Sequence, residues 1–293
     1  MVIKPDQSER DALAVLVNLA KAEDLGEGDI TCTILPAGIR CTGKFIAREK
    51  LIFCGGAFLE QIAASYDEAI TTTVLVDEGA EVETGEVLAE WSGPAGAILS
   101  AERVALNFLQ RLSGIATMTR KYVDAVAGTS ATIYDTRKTT PAWRRLEKYA
   151  VRVGGGKNHR LGLYDAVIIK DNHLAVMNWE DLAGKIASLR KSLSKSGFIE
   201  IEVDNLEQLR EALAMDVDVI MLDNMPVDQL AAAVAMRNEL CPSRSVELEA
   251  SGGITLENVR QAAETGVERI AIGALTHSAP AVDIALEVQK DNP

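Results

Sequence analysis

A-T-I-Y-D-T-R-K (131–138) and A-V-I-I-K-D-N-H (166–173) each carry a short apolar run straight into charged residues. The same shape returns in I-E-I-E-V-D-N (199–205), V-I-M-L-D-N (219–224), V-E-L-E-A-S-G-G (246–253) and R-I-A-I-G-A-L-T-H (269–277). Helical patterns such as L-E-Q-L-R-E-A-L-A-M (206–215) and V-D-Q-L-A-A-A-V-A-M-R-N-E-L (227–240) fill most of the gaps. Strands alternating with helices imply a parallel sheet, and about six or seven such units imply an α/β barrel.

Arg137, Lys138, Lys170, Asp171, Asp204, Asp223 and Ser251 all fall at the C-terminal ends of their runs. Barrels carry their chemistry on that rim. Charged residues also end strands simply because strands end in water, but this mixture of cations and carboxylates favours a site. The cations are dense from Ile133 to His173, where Arg144, Arg145, Lys148, Arg152, Lys157, His159, Arg160 and His173 join Arg137, Lys138 and Lys170. The last two strand ends place Ser251, Gly252, Gly253 and Gly273 just before helices. Bare glycines let backbone N–H groups approach an oxyanion, and barrels often hold a phosphate after their final strands. The G-G-G at 154–156 is no P-loop; it reads as a flexible loop that brings Lys157, Asn158, His159 and Arg160 over a ligand.

The remaining chain is consistent with two domains. At 293 residues and 47% hydrophobic content, it is long enough for more than one core. Residues 8–21 read as an amphipathic helix with Ser8 as N-cap, and K-F-I-A-R-E-K-L-I-F-C-G-G (44–56) and T-T-T-V-L-V-D-E-G-A-E-V-E-T-G-E-V-L-A-E-W (71–91) read as strands. A helical period resumes from Ser100 to about Val126 with a break near Leu112-Ser113-Gly114, which predicts a domain junction there. The expected division is an N-terminal α/β domain over 1–113 and a barrel over 114–277, with a helix over 278–293 returning to the first. The segment 77–88 has the hammerhead pattern of biotinyl and lipoyl carriers. Those modules need a hairpin lysine, and none occurs between Lys50 and Lys121. The loop signal S-K-S-G (194–197) and a fraying K-D-N-P (290–293) complete the reading.

Composition excludes several classes of partner. A net charge of −13 argues against nucleic acid and anionic membranes. It does not argue against an anionic ligand, because surface carboxylates are screened beyond about 8 Å at physiological salt while a partly buried pocket is not. No apolar run approaches the length of about 18 residues that a membrane helix needs, and no signal peptide opens the chain. Cys32, Cys41, Cys54 and Cys241 form no C-x-x-C pair, so they are expected as reduced thiols in the cytoplasm. Three histidines without a cluster at ligand spacing argue against zinc.

Several long motifs occur in one order: E-D-L-G-E-G-D-I-T (23–31), S-A-E-R-V-A-L-N-F-L-Q (100–110), D-T-R-K-T-T-P (135–141), G-G-G-K-N-H-R (154–160), K-D-N-H (170–173), I-E-V-D (201–204), L-D-N (222–224), S-G-G-I (251–254) and I-G-A-L-T-H (272–277). Together they resemble the quinolinate phosphoribosyltransferases, a type II phosphoribosyltransferase family, nearly end to end. Ala142 departs from the family pattern, in which a glycine follows T-T-P.

The resemblance implies an N-terminal hammerhead-like α/β domain with an incomplete TIM-like barrel. It also implies transfer of phosphoribose from phosphoribosyl pyrophosphate to quinolinate with loss of carbon dioxide. Thr136, Arg137, His159, Arg160 and Lys170 are then expected around quinolinate, with Arg103 supplied by the partner subunit of a homodimer. Ser251, Gly252, Gly253 and Gly273 fall to the 5′-phosphate end, and His277 is a further expected substrate-binding residue. Lys138, Lys170, Glu202 and Asp223 are the expected catalytic groups, Glu202 and Asp223 also being candidates for Mg²⁺. Glu200 shares the strand face of Glu202 and is ranked below it. Two other readings keep the barrel: a lyase using Lys170 as Schiff-base nucleophile, and a non-catalytic phosphate-ligand sensor.

Overall fold

The computed structural model describes residues 3–176, 179–193, 197–242 and 246–291. The loop expected at 194–197 and the terminus at 290–293 therefore fall largely outside the described residues. In chain order the elements are α1 (Gln7–Leu25), β1 (Arg40–Ala47), β2 (Leu51–Ile52), α2 (Leu59–Tyr66), β3 (Thr71–Val74), β4 (Glu81–Val82), β5 (Val87–Pro94), α3 (Ala95–Ala125), β6 (Thr132–Tyr134), α4 (Arg144–Val153) and β7 (Val167–Ile169). They continue with α5 (Asp171–Leu174), α6 (Trp179–Ser192), β8 (Ile199–Val203), α7 (Leu206–Leu213), β9 (Val219–Asp223), α8 (Val227–Leu240), β10 (Glu247–Ser251), α9 (Val259–Glu264), β11 (Arg269–Ala271), α10 (Ala274–His277) and β12 (Ile284–Lys290).

Two compact units result, and the first is discontinuous in sequence: Met1–Arg120, Thr139–Gly155 and Ala274–Pro293. Its main sheet has the order β12-β1-β5-β3 with antiparallel pairing throughout. Phe45 on β1 meets Trp91 on β5 edge to face at 4.9 Å, and both are fully buried. The α1 helix starts two residues earlier than a Ser8 cap predicts. Asp6 is its cap, accepting the Glu9 N–H while the Glu9 carboxylate accepts from the Asp6 N–H, a reciprocal capping box that a serine at position 8 cannot make.

Two expectations about this unit are corrected. The α3 helix continues through Leu112-Ser113-Gly114 without a break. Gly114 is there for close packing, since a Cβ would lie 2.0 Å from the Pro280 carbonyl oxygen. The helix expected over 278–293 is not found among the described residues there: Ile284–Lys290 is a strand paired antiparallel to β1 from Cys41↔Lys290 to Ala47↔Ile284. Residues 286–289 alternate aliphatic and polar side chains, a two-residue period that suits an edge strand, and the β1 backbone supplies the partner.

The second unit comprises Lys121–Lys138 and Gly156–Gly273. Its sheet has six strands in the order β6-β11-β10-β9-β8-β7, all paired in parallel. β6 and β7 remain the two ends, so this is an incomplete TIM-like barrel. One register row crosses Arg269, Glu249, Met221 and Glu202, and Ser251 and Asp223 pair two residues further on, at the carboxyl ends of their strands. Since side chains alternate along a strand, Glu200 and Glu202 share one face of β8, while Ile199, Ile201 and Val203 take the other. No helix among the described residues is long and apolar enough to cross a membrane.

Candidate active site

A cavity of about 500 Å³ opens within the second unit, a size suited to a small ligand. Thr136, Arg137, Lys138, His159, Arg160, Lys170, Glu202, Asp223, Ser251, Gly252 and Gly253 all line it. Arg103, Gly273 and His277 do not: Arg103 is exposed on α3, His277 is exposed at the end of α10, and Gly273 follows β11.

The segment carrying His159 and Arg160 is tied to β6 rather than hanging loose. The Lys157 amide donates to the Ile133 carbonyl at 2.8 Å, and the Asp135 amide donates to the Lys157 carbonyl at 3.1 Å. Buried Asp135 then accepts the His159 N–H at 2.8 Å and the Asn158 side-chain amide at 2.6 Å. The Arg160 guanidinium donates to the Ala166 carbonyl at 3.1 Å. Burial, and after it the nearby positive charge of Arg137, lowers the pKa of Arg160. Two guanidiniums held close at one cavity wall favour a planar dianion over any monocation.

At the rim Lys170 Nζ lies 2.5 Å from Glu202 Oε2, the lysine side chain 43% exposed and the carboxylate 9%. Asp223 ends the neighbouring strand and accepts from the Asn224 side chain at 2.7 Å. After β10 the chain turns through Gly252 (φ 85°) and Gly253 (φ 61°). A Cβ on Gly252 would come within 2.3 Å of Asn224 Oδ1, so only glycine fits that turn. This gives the glycine signal in S-G-G-I a physical basis and leaves backbone exposed at the cavity edge. Asn224 is itself left-handed (φ 53°) and donates its amide to the Ser251 carbonyl at 2.8 Å. Ala142, the departure from the family pattern, also sits at φ 67°, a conformation natural to glycine.

Sequence reasoning missed what lies deeper. Glu249, Met221, Ile168, Asn224 and Ala271 also line the cavity. His159 Nε2 lies 3.0 Å from Glu200 Oε2 and 3.4 Å from Glu249 Oε1, both carboxylates being fully buried. Arg269 Nε binds Glu249 Oε2 at 2.7 Å, and its guanidinium stacks on Tyr134 at 4.1 Å and on Phe198 at 5.1 Å. Burial, then the Glu249 charge, pushes Glu200 up to about 7. For Glu249 burial works the same way, but contacts with His159 and Arg269 outweigh it and hold its pKa below the usual value. Burial opposes charge on His159 while the two carboxylates favour it and push its pKa up, but the Arg160 N–H occupies the Nδ1 lone pair, so a second ring proton binds only if that hydrogen bond breaks. The available signal was the doubled alternation I-E-I-E and V-E-L-E, which puts carboxylates on one face of two strands.

Among the described residues, the group of three at metal-ligand spacing is His159, Glu200 and Glu249, with donor atoms within 4.8 Å of one another. The expectation that no histidine-containing cluster exists is corrected on spacing alone. Yet His159 Nδ1 accepts the Arg160 amide at 2.8 Å. A metal on Nε2 would then require a ring stripped of both protons, beside the Arg269 charge, so these residues do not fit a cation.

Known proteins resemble this chain along nearly its whole length. The family described as quinolinate phosphoribosyl transferase, C-terminal domain, matches residues 115–287, and its N-terminal domain matches residues 29–113. A probable carboxylating nicotinate-nucleotide pyrophosphorylase of Bacillus subtilis (strain 168) is 44% identical over 280 residues, covering 96% of this chain and 94% of its own. The corresponding protein of Mycobacterium leprae (strain TN) is 43% identical over 284 residues, covering 96% and 98%. The solved nicotinate-nucleotide pyrophosphorylase of Francisella tularensis superposes with a TM-score of 0.87 at 37% identity, covering 99% of this chain and 100% of its own. With both domain signatures in order and relatives matched along nearly their full length, this chain belongs to the quinolinate phosphoribosyltransferase family.

Proposed function

We propose that the chain transfers phosphoribose from phosphoribosyl pyrophosphate to the ring nitrogen of quinolinate and releases carbon dioxide. The products are nicotinate mononucleotide and pyrophosphate, a step of de novo NAD biosynthesis. The observation that carries this reading is one cavity holding both the Arg137 and Arg160 pair and the Ser251–Gly253 turn. The arginines suit a pyridine dicarboxylate, and the bare turn suits a 5′-phosphate. The names of the matched relatives support the same chemistry.

In this mechanism the pyridine nitrogen displaces pyrophosphate at the anomeric carbon, through a transition state with oxocarbenium character. Glu202 and Asp223 end adjacent strands and offset that positive charge, while Lys138 and Lys170 favour the departing pyrophosphate. The ring nitrogen, now cationic, stabilises the electron pair left on the neighbouring ring carbon when its carboxylate departs as carbon dioxide, and that carbon then takes a proton from solvent. Orientation and field do most of the work. Mg²⁺ would neutralise pyrophosphate charge. Asp223 and Glu202 have the hard oxygen ligands it prefers, with phosphate oxygens and water completing its shell because Lys170 already holds one Glu202 oxygen. The same ion pair disfavours the Schiff-base alternative, which needs an uncharged lysine.

The proposed assembly is a cytoplasmic homodimer in which Arg103 reaches the partner's cavity. Its exposure on α3 and the free state of Cys32, Cys41, Cys54 and Cys241 support that reading. Turnover assays with quinolinate, phosphoribosyl pyrophosphate and Mg²⁺, run beside nicotinate, test the activity: turnover of quinolinate alone is expected. Use of nicotinate alone would overturn the two-anchor pocket, and silence with both would favour the sensor. Mixing Arg103→Ala chains with Lys138→Ala chains should restore part of the activity if the site is shared.

A further inference from the structure

A barrel interior is ordinarily filled by branched apolar side chains. Here one part of it holds Glu200, Glu249, Arg269 and the His159 ring, four buried polar groups of which His159 and Glu249 also line the cavity. Such a group is costly unless every member is satisfied. Its connections run in one direction. The Arg269 guanidinium, sandwiched against Tyr134 and Phe198, is fixed by packing and binds Glu249. Glu249 and Glu200 both lie within 3.4 Å of His159 Nε2. Across the ring, His159 Nδ1 accepts the backbone amide of Arg160 at 2.8 Å. Asp135 holds the His159 amide from the other side at 2.8 Å.

We infer that Glu249, backed by Arg269 and assisted by Glu200, is a positioning residue that fixes the His159 tautomer and, through Nδ1, the backbone of the Arg160 carboxylate anchor. An imidazole whose Nδ1 lone pair takes the Arg160 N–H carries its proton on Nε2, where the two carboxylates wait for it. A second ring proton would set N–H against N–H and release Arg160. His159 is therefore part of the wall, and neither a proton donor to the substrate nor a metal ligand. The inference rests on the quinolinate reading only for the identity of the ligand that Arg160 holds; the tautomer does not depend on it.

Two measurements test it on the intact protein. The chain has three histidines, His159, His173 and His277, so ¹⁵N–¹H correlation spectra of the imidazoles resolve each one, with a His159→Gln variant assigning its signal. At pH 7.5 His159 should show a protonated, slowly exchanging Nε2 and a bare Nδ1. A ring protonated on both nitrogens, or on Nδ1 alone, overturns the inference whatever the enzyme turns over. In kinetics Glu249→Gln keeps the shape but can turn its amide N–H toward Nε2. It should raise the KM for quinolinate about tenfold and leave the KM for phosphoribosyl pyrophosphate within about twofold, while the lost charge opposite Arg269 lowers its melting temperature. An equal rise in both constants, or none, makes the cluster a folding element only. If that variant does not fold, the spectrum of the unmodified protein still decides.

Discussion

Glu200 and Glu202 stand two residues apart on the same face of β8, yet they are different chemical groups. Glu202 reaches the rim and meets a half-exposed lysine at 2.5 Å, one charge against one charge beside water. Glu200 lies one layer deeper, shares a proton-rich space with Glu249 and His159, and is pushed up to about 7 by burial and by the Glu249 charge. The comparison teaches that depth in the barrel, more than residue type, assigns the role. Rim carboxylates can answer to a substrate, whereas buried ones answer first to their own cations.

The largest effect should come from breaking the deeper layer. Arg269→Met removes the cation that Glu249 faces and leaves two buried carboxylates to repel each other, so unfolding in urea should show a loss of about 3–5 kcal/mol. At the rim the balance should invert. Lys170→Met is expected to cut kcat/KM about 100-fold, the cost of losing a charge contact to a developing anion, while destabilising the fold less than Arg269→Met does, because the lysine end of the pair is half-exposed and Glu202 opens onto the cavity. Comparable stability losses for the two variants would erase the distinction between the layers.

Acidity offers a subtler separation. Glu200 binds its proton more tightly folded than unfolded, so its contribution to stability is complete below the ordinary carboxyl value of 4.5 and is lost as pH rises towards about 7. Melting temperatures measured across that window should therefore fall with pH, and Glu200→Gln should flatten that slope. Glu202→Gln should leave it in place. The smallest change lies outside both layers, where Ala142→Gly removes left-handed strain at φ 67° and should stabilise the first unit by about 1 kcal/mol, net of the extra flexibility of glycine.

The rim was legible in the sequence because each strand there ends where apolar residues give way to charge, so Arg137, Lys170, Asp223 and Ser251 announce themselves by position. The deeper layer was not, because Glu249 sits inside an apolar run, Arg269 opens one, and their pairing depends on β10 and β11 lying in register. Tertiary context also decided the first unit. Residues 284–290 are a strand because β1 offers them a backbone partner, and Gly114 leaves α3 whole because it makes room for Pro280. The glycine turn at 252–253 was readable as a signal, but its cause, the Asn224 side chain pressed beneath it, was visible only in three dimensions.

The pairing of β12 with β1 has a consequence for synthesis. A hydrogen bond from the Thr42 hydroxyl to Asp291 at 2.9 Å joins positions 249 residues apart. A ribosome adding about 5–20 residues per second needs roughly 12–50 s to cover that distance. Through that interval β1 has one open edge, its amides and carbonyls available to any passing strand. The nascent chain therefore depends on chaperones or on the speed of translation to keep that edge unpaired until residues 284–290 emerge.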